Sequence, residues 1–574
     1  MVVIDEAHQH TVQTDLLIGL LKMKLRTTRS KDLKVVIMSA TLDAKLFNNF
    51  FPGSTVELVH GRQYQVLEDF LAKPTRDVLV MAATTAVQCA LSKRLGNILI
   101  FAPGVPEIHK IIAEISSKLG GITEDNICPV DCYALHGKMS KEEQDNVVNA
   151  APPTRKGKAG RKIIVATNVA EASITINDIT IVIDTGLAKT EIYDAEHECW
   201  KFVTTFISQA QKRQRVGRAG RQKEGLAYLM YTEGGFHRDM LEHPVAAILE
   251  GDMISECLTI LAIGENPLTF PYITPPSTDT INKALAVLRH LMAITDSGNL
   301  TPHGLALSNL PINPYFAEMI LRSPEYNCSD EIISIVAVIE ASECGTLLQV
   351  MDTQEDKKIA PQKLRPLRHP RGDHLTLLNI YMSWRRECVK GTQATFCETY
   401  MLRMSTLQAA DRTRRELLTR FKKTGLELVA GDQDDLDYYV NIVKALAAGN
   451  FLNVARRVGT SKTSYRTLRA GQHAKLYPHS KLGGSLDDSE FVLYNKHVRK
   501  DCQPDRLQLV TSVRPEWLIS TRPQYWSDAD RLTPGDAQER IVAVMAGMTN
   551  KSEEYIQGGI PAAPKPQPTA SVTK

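Results

Sequence analysis

Long apolar runs are missing from this 574-residue sequence. None approaches the ~18 consecutive apolar residues that a membrane-spanning helix needs. A dominant charge is missing too: 68 basic and 65 acidic residues leave a net charge of +3, so only local clusters can point to a partner. The ten cysteines are scattered. The closest two, Cys128 and Cys132, have no second pair nearby, which excludes a zinc-ligand pattern and a disulfide framework and leaves reduced thiols as the default. The opening Met1-Val2-Val3-Ile4-Asp5-Glu6 puts two carboxylates where a secretory leader needs a basic start and an apolar stretch, so export by that route is not expected. What remains is ordinary globular composition, 43% hydrophobic and 23% charged. That composition excludes a mainly disordered, collagenous or coiled-coil chain, and the length accommodates about three to five domains.

The chain opens inside a strand. Val2, Val3 and Ile4 form an apolar run that ends in acids. Buried strands of parallel sheets read this way, and open α/β sheets bind ligands at the C-terminal ends of their strands. Thr14 and Asp15 are placed to cap a helix whose apolar side is Leu16, Leu17, Leu20, Leu21 and Leu25. Val35-Val36-Ile37-Met38 is a second strand, ending in Ser39-Ala40-Thr41, and together they make one βαβ unit. A first strand with nothing before it to pair with gives the expectation of a chain shortened at its N-terminus.

Residues 75 to 235 repeat the pattern more fully. Strands are expected at Ile98–Phe101, Val130–Leu135, Ile163–Ala166 and Ile179–Ile183, closing on Pro103-Gly104, His136-Gly137, Thr167-Asn168 and Asp184-Thr185-Gly186. Ile108, Ile111, Ile112 and Ile115 recur at helical spacing between them. This describes a parallel sheet with a ligand edge. Pro152 to Lys162 reads as a basic surface loop. In Gln214-Arg215-Val216-Gly217-Arg218-Ala219-Gly220-Arg221, Arg218 and Arg221 share a helical face. Such a pair suits a polyanion such as a triphosphate, or simply a basic surface helix.

Asp5-Glu6-Ala7-His8, Ser39-Ala40-Thr41, Thr167-Asn168-Val169-Ala170-Glu171 and Gln214 to Arg221 occur in this order. They resemble motifs II, III, V and VI of the DEAH-box RNA helicases of superfamily 2, nearest the pre-mRNA-splicing-factor and ribosome-biogenesis branch. Further matches to that family are Thr301-Pro302-His303-Gly304, Pro314-Tyr315-Phe316-Ala317, Gly372 to Leu378, Lys444 to Phe451 and Pro515-Glu516-Trp517-Leu518. The resemblance implies ATP and Mg²⁺ as cofactors, with Asp5 and Glu6 holding the ion through water and Glu6 orienting or deprotonating the attacking water. His8, Ser39 and Thr41 would couple the nucleotide state to the RNA site, together with Thr175 and Gly186. Gln214 would sense the γ-phosphate, and Arg218 and Arg221 would be arginine fingers. Gly104, Thr167 and Asn168 would touch the RNA backbone. Glu191 to Ile207, with Tyr193, Trp200, Phe202 and Phe206, resembles the family's strand-separating hairpin. The implied partners are RNA in a spliceosomal or pre-ribosomal RNP and glycine-rich patch activator proteins. The implied location is the nucleus with a nucleolar or cytoplasmic pool, and no membrane.

The implied architecture is multidomain, α/β plus α plus β. It has a partial first RecA-like lobe (1–60), a complete second RecA-like lobe (61–235), a winged helix (236–305), a helical ratchet domain (306–430), an OB-fold region (431–545) and a disordered tail (546–574). Two basic stretches, one at Lys363, Arg365, Arg368 and Arg371 and one from Arg412 to Lys423, are either RNA phosphate contacts or solvated faces. The departures from the family are as informative. The phosphate-cradling Gly-x-x-x-x-Gly-Lys-Ser/Thr is absent: Gly137-Lys138 runs into Met139 and Gly157-Lys158 into Ala159. Gln9-His10 stands where the family usually has Glu-Arg, and Asn177 where it usually has Asp. The expectation is a chain that does not hydrolyse ATP at a useful rate by itself. Its alternative function is a nucleotide-independent RNA- or protein-binding module. DNA as the strand is not excluded, since backbone contacts do not name the sugar.

Overall fold

The computed structural model describes residues 1–26, 32–39, 43–59, 64–92, 96–120, 129–155, 158–171, 174–344, 347–348, 354–477, 489–500, 503–528, 532 and 534–557. At the N-terminus, strands Val2–Ile4 and Val35–Ile37 pair in parallel, Val2 opposite Val35, around the helix Val12–Leu25. The cap of that helix is Thr11, whose hydroxyl accepts from the Thr14 amide at 3.2 Å. Thr14 and Asp15 lie inside the helix, and Asp15 is fully buried, 3.3 Å from His10 Nδ1. The leucine-rich helix is apolar on two sides because it is covered on two sides. Ile18 and Leu21 join Ile4, Phe47, Phe50 and Ile273 in a small core, whereas Leu16, Leu20 and Met23 pack on the large C-terminal core. Gly19 permits the second contact: a Cβ there would stand 2.5 Å from the Phe270 ring.

The second unit is a six-stranded, all-parallel sheet in the order Val66–Phe70, Gly225–Leu229, Ile179–Asp184, Asn97–Phe101, Arg161–Ala166, Val130–Leu135. Its central strands are apolar throughout because both faces are buried. Ile98, Ile100, Ile163 and Val165 pack under the helices Val78–Leu91 and Val105–Gly120, and Leu99, Phe101 and Ile164 pack on the other face with Val216 and Phe236. The expected basic loop is only partly one. Arg161 and Lys162 open a strand and are buried. Lys162 Nζ donates to the carbonyls of Val147 (3.2 Å), Val148 (2.8 Å) and Ala150 (3.0 Å), closing the C-terminal end of the helix Lys141–Asn149.

Helices dominate the rest. Ile254–Ala262, Thr278–His290 and Pro302–Ser308 accompany an antiparallel bridge between Ile294 and Leu300. Pro314–Arg322, Ser329–Cys344, Asp373–Lys390 and Met404–Lys422 follow, and Tyr438–Asn450 leads into a barrel. The barrel closes because Phe491–Lys500 pairs with both Val454–Arg457 and Arg506–Val513, while Ser464–Thr467 and His473–Leu476 complete the ring. One apolar core runs continuously from Ala246 to Val544. Residues 546–557, expected in a disordered tail, are helical. Asp536–Gln557 is helical, and Ile541, Val544, Met545 and Met548, at helical spacing, pack on that core. Residues 558–574 lie outside the described residues. Among the described residues the cysteines are free, and no helix is long and apolar enough to cross a membrane.

Candidate nucleotide site and nucleic-acid interface

The strand Val2–Ile4 delivers Asp5 and Glu6 to an exposed turn. Asp5 Oδ1 accepts the Glu6 amide at 2.8 Å, and Glu6 adopts a left-handed conformation with φ 53°. His8 is buried beneath them. Its Nε2 lies 3.2 Å from the Glu6 carboxylate and its Nδ1 3.2 Å from Ser39 Oγ. Burial lowers the His8 pKa, and the Glu6 carboxylate opposes the shift. Two adjacent exposed carboxylates are the oxygen donors that a hydrated Mg²⁺ accepts, so these residues fit that ion. Thr41 lies outside the described residues.

In the second lobe the helix Gln209–Gly217 starts with a capping box between Ser208 and Gln211 and carries Gln214, which is half-buried, and Arg215, which is fully buried. Arg215 Nε donates to Glu171 at 3.0 Å and its NH1 to Asp184 at 2.8 Å, with the guanidinium over the Phe101 ring. Burial opposes its charge, but the two carboxylates outweigh that and its pKa is raised. Asp184 also accepts the Tyr231 hydroxyl at 3.1 Å and the Gly186 amide at 3.0 Å. Gly186 is buried at φ 71°, and a Cβ there would meet the Tyr231 ring at 2.5 Å. It therefore shapes the turn that follows Asp184.

Arg218 is also largely buried. Its guanidinium donates to the carbonyls of Glu171 (3.0 Å) and Ile174 (2.7 Å). Burial, and then Arg221, bring its pKa down to about 10, while the carboxylates of Glu171 and of Glu6 oppose this. Arg221 is exposed, with NH1 3.0 Å from Thr175 Oγ1. The fold brings together Arg218, Arg221 and Thr175, beside the helix that carries Gln214. Glu171, Asp184 and Arg215 are the residues that sequence reasoning does not pick as site residues. Glu171 closes the quoted motif and Arg215 follows Gln214, but their partners lie 44 and 31 residues apart in sequence.

Gly104, Thr167 and Asn168 follow neighbouring strands and so sit at one sheet edge, where the Ala102 amide donates to the Ala166 carbonyl at 2.8 Å. Asn168 is exposed, Thr167 half-buried and Gly104 buried. The hairpin spans Leu187–Asp194 and Cys199–Phe206, and its second strand pairs in parallel with the barrel strand Phe491–Lys500. Its aromatics are mostly held in that seam. Trp200 lies under Lys496 and beside Tyr193, Phe202 lies under Lys500, and only Phe206 is exposed, at 54%. In the second basic stretch, Arg414 pairs with Asp330, Arg415 with Asp411 and Arg420 with Glu416, so these arginines are largely neutralised. In the first, Arg371 shares the Trp517 ring with Arg514.

Comparison with known proteins adds to this geometry. Residues 82–223 match the helicase conserved C-terminal domain, 313–377 the ratchet-like helicase associated domain, and 442–525 the oligonucleotide/oligosaccharide-binding fold. Over 535 residues the chain is 31% identical to the pre-mRNA-splicing factor ATP-dependent RNA helicase prp22 of Schizosaccharomyces pombe. The chain belongs to the DEAH-box RNA helicases. The alignment takes in 92% of this DEAH-box chain and 43% of the length of the relative. The helicase C-terminal match contains four contiguous strands of the six-stranded sheet and the arginine-rich helix. The OB-fold match contains the closed barrel.

Proposed function

We propose that this DEAH-box chain grips single-stranded RNA and carries one carboxylate and two arginines of an ATP-hydrolysing site that serves 3′-to-5′ movement and RNP remodelling, and that it does not hydrolyse ATP by itself. The observation that carries the proposal is the cluster of Arg218, Arg221 and Thr175 beside the helix that carries Gln214, with Arg221 exposed and 3.0 Å from Thr175 Oγ1. Asp5 and Glu6 would hold Mg²⁺ through water, where the ion would supply charge neutralisation, and Glu6 would take the proton of the attacking water. Arg218 and Arg221 offset charge on the transferring phosphoryl group, a contribution of ~10³–10⁵ in rate for such arginines. Arg218 must leave the Glu171 and Ile174 carbonyls to do so, which ties hydrolysis to closure of the two sheets. Gln214 and Thr175 sense the γ-phosphate end, and the His8–Ser39 contact relays the nucleotide state. Gly104, Thr167 and Asn168 hold the RNA backbone, contacts that give affinity without sequence preference.

Residues 1–60 read as part of a first RecA-like lobe and 61–235 as the second. Residues 236–305 read as a winged helix, a reading supported by three helices and the Ile294–Leu300 bridge. The ratchet domain then occupies 306–430 and the OB-fold region 431–545. The natural setting is a spliceosomal RNP in the nucleus, with glycine-rich patch proteins as activators. A second reading is a nucleotide-independent binding module derived from a helicase. It is favoured by the continuous core that joins 246–544 into one body. The first reading, and the second where its ligand is RNA and not protein, predict binding of single-stranded RNA without nucleotide. Fluorescence anisotropy with a labelled single-stranded RNA tests this: affinity that Thr167→Ala and Asn168→Ala weaken supports RNA binding, and no binding by the wild-type chain refutes it.

A further inference from the structure

The turn of the hairpin carries a cluster that none of the roles above uses. Asp194, Glu196 and His197 each bring a donor atom to within 4.8 Å of the other two, and no other three His, Cys, Asp or Glu among the described residues come together in this way. The turn is shaped to hold them. Asp194 Oδ1 accepts the amides of Glu196 at 3.0 Å and of His197 at 3.3 Å, which fixes the carboxylate and leaves Oδ2 2.7 Å from His197 Nδ1. Glu196 is exposed. The Lys201 ammonium also pairs with Asp194 Oδ2, so this point already draws a cation, and Lys201 is exposed enough to swing away from it.

A fourth donor stands two strands over, in the barrel. Asp194 lies opposite Cys199, and Lys201 is in register with Arg499. Alternation along the strands then puts Asp194, Cys199, Lys201, His497 and Arg499 on one face of the sheet. His497 is 3% exposed, and its Nδ1 is buried with no hydrogen-bond partner. Its Nε2 lies 3.0 Å from Oδ2 of Asp505, a carboxylate that Arg499 also holds. Asp505 precedes the strand Arg506–Val513, which borders Phe491–Lys500 on the edge away from the hairpin. The two nitrogens of an imidazole point away from each other, so Nδ1 turns towards the hairpin. A histidine that is held through one nitrogen by a carboxylate and offers the other is the usual form of a metal ligand.

Two imidazole nitrogens and two carboxylates suit a tetrahedral ion of the Zn²⁺ class, whereas Mg²⁺ and Ca²⁺ take oxygen donors. We propose that Asp194, Glu196 and His197 bind one divalent ion of the Zn²⁺ class at the hairpin turn, with His497 of the barrel as the fourth ligand and the Lys201 ammonium displaced. The ligands come from both sides of the hairpin–barrel seam, so the bound ion fastens the turn of the hairpin to the strand Phe491–Lys500.

The test is Zn²⁺ binding by the full chain, stripped with a chelator and then titrated in competition with a chromophoric chelator. The wild type is expected to hold one ion that His197→Gln and Glu196→Gln lose. Asp505→Asn, which loosens the His497 ring, is expected to weaken binding by about 10–100-fold. Lys201→Gln, which removes the competing cation, is expected to tighten it. His237→Gln, at an exposed histidine of the helix Glu233–Asp239, is expected to leave it unchanged. Zn²⁺ is also expected to raise the melting temperature of the wild type and not that of Glu196→Gln, a change at an exposed side chain. No ion held by the wild type, or wild-type affinity in both Glu196→Gln and His197→Gln, overturns the site. Wild-type affinity in a folded His497→Gln overturns the barrel's share in it.

Discussion

His8 Nδ1 lies 3.2 Å from Ser39 Oγ and joins the ends of the two N-terminal strands. The acidic turn and the second strand end are therefore one hydrogen-bonded unit. Removing one partner of a buried hydrogen bond destabilises by ~1–3 kcal/mol. His8→Ala is expected to destabilise residues 1–50 by that amount, and Ser39→Ala by less. The double variant is expected to be less destabilised than the sum. Hydrogen exchange of this segment measures all three, and strict additivity would show that the two side chains are not coupled.

Arg215 and Arg221 belong to one motif but have opposite surroundings. Arg215 is buried between Glu171 and Asp184, so Arg215→Leu strands two carboxylates and is expected to destabilise by ~3–5 kcal/mol. Arg221 is exposed, and Arg221→Ala is expected to stay within ~0.5 kcal/mol of wild type. Denaturant unfolding of the two variants checks the contrast. A stable Arg215→Leu protein would remove the structural role assigned to this arginine.

His374 gives the fold an acid limit. It is buried between Thr511 Oγ1 and Asn495 Oδ1, both at 2.8 Å, and burial brings its pKa down to about 4 from 6.5. The folded state therefore holds the neutral ring. That stabilisation is complete above pH 6.5 and is lost as pH falls towards 4, at ~1.4 kcal/mol per pH unit. The melting temperature is expected to fall over this window, and less steeply in His374→Gln.

Much of the fold is legible because parallel strands buried on both faces must be apolar throughout: Ile98–Phe101 and Ile163–Ala166 announce themselves. The Thr11 cap is less legible, since Thr11, Thr14 and Asp15 are all cap-forming residues and only the burial of Asp15 against His10 decides among them. At the candidate site, the motif residues are legible through the family resemblance. The partners of Arg215 and the burial of Gly186 are not, because both depend on which strand ends the fold brings together. Lys162 reads as part of a solvated loop because charge in a sequence does not reveal three carbonyls waiting at a helix end.

ATP turnover by the purified chain, with and without single-stranded RNA and against Glu6→Gln, is the most direct test of the proposal that this chain binds RNA and does not hydrolyse ATP by itself. The expected result is RNA binding with turnover no higher than that of the variant. RNA-stimulated turnover that Glu6→Gln abolishes would contradict it, and would mean that other residues of this chain hold the β- and γ-phosphates.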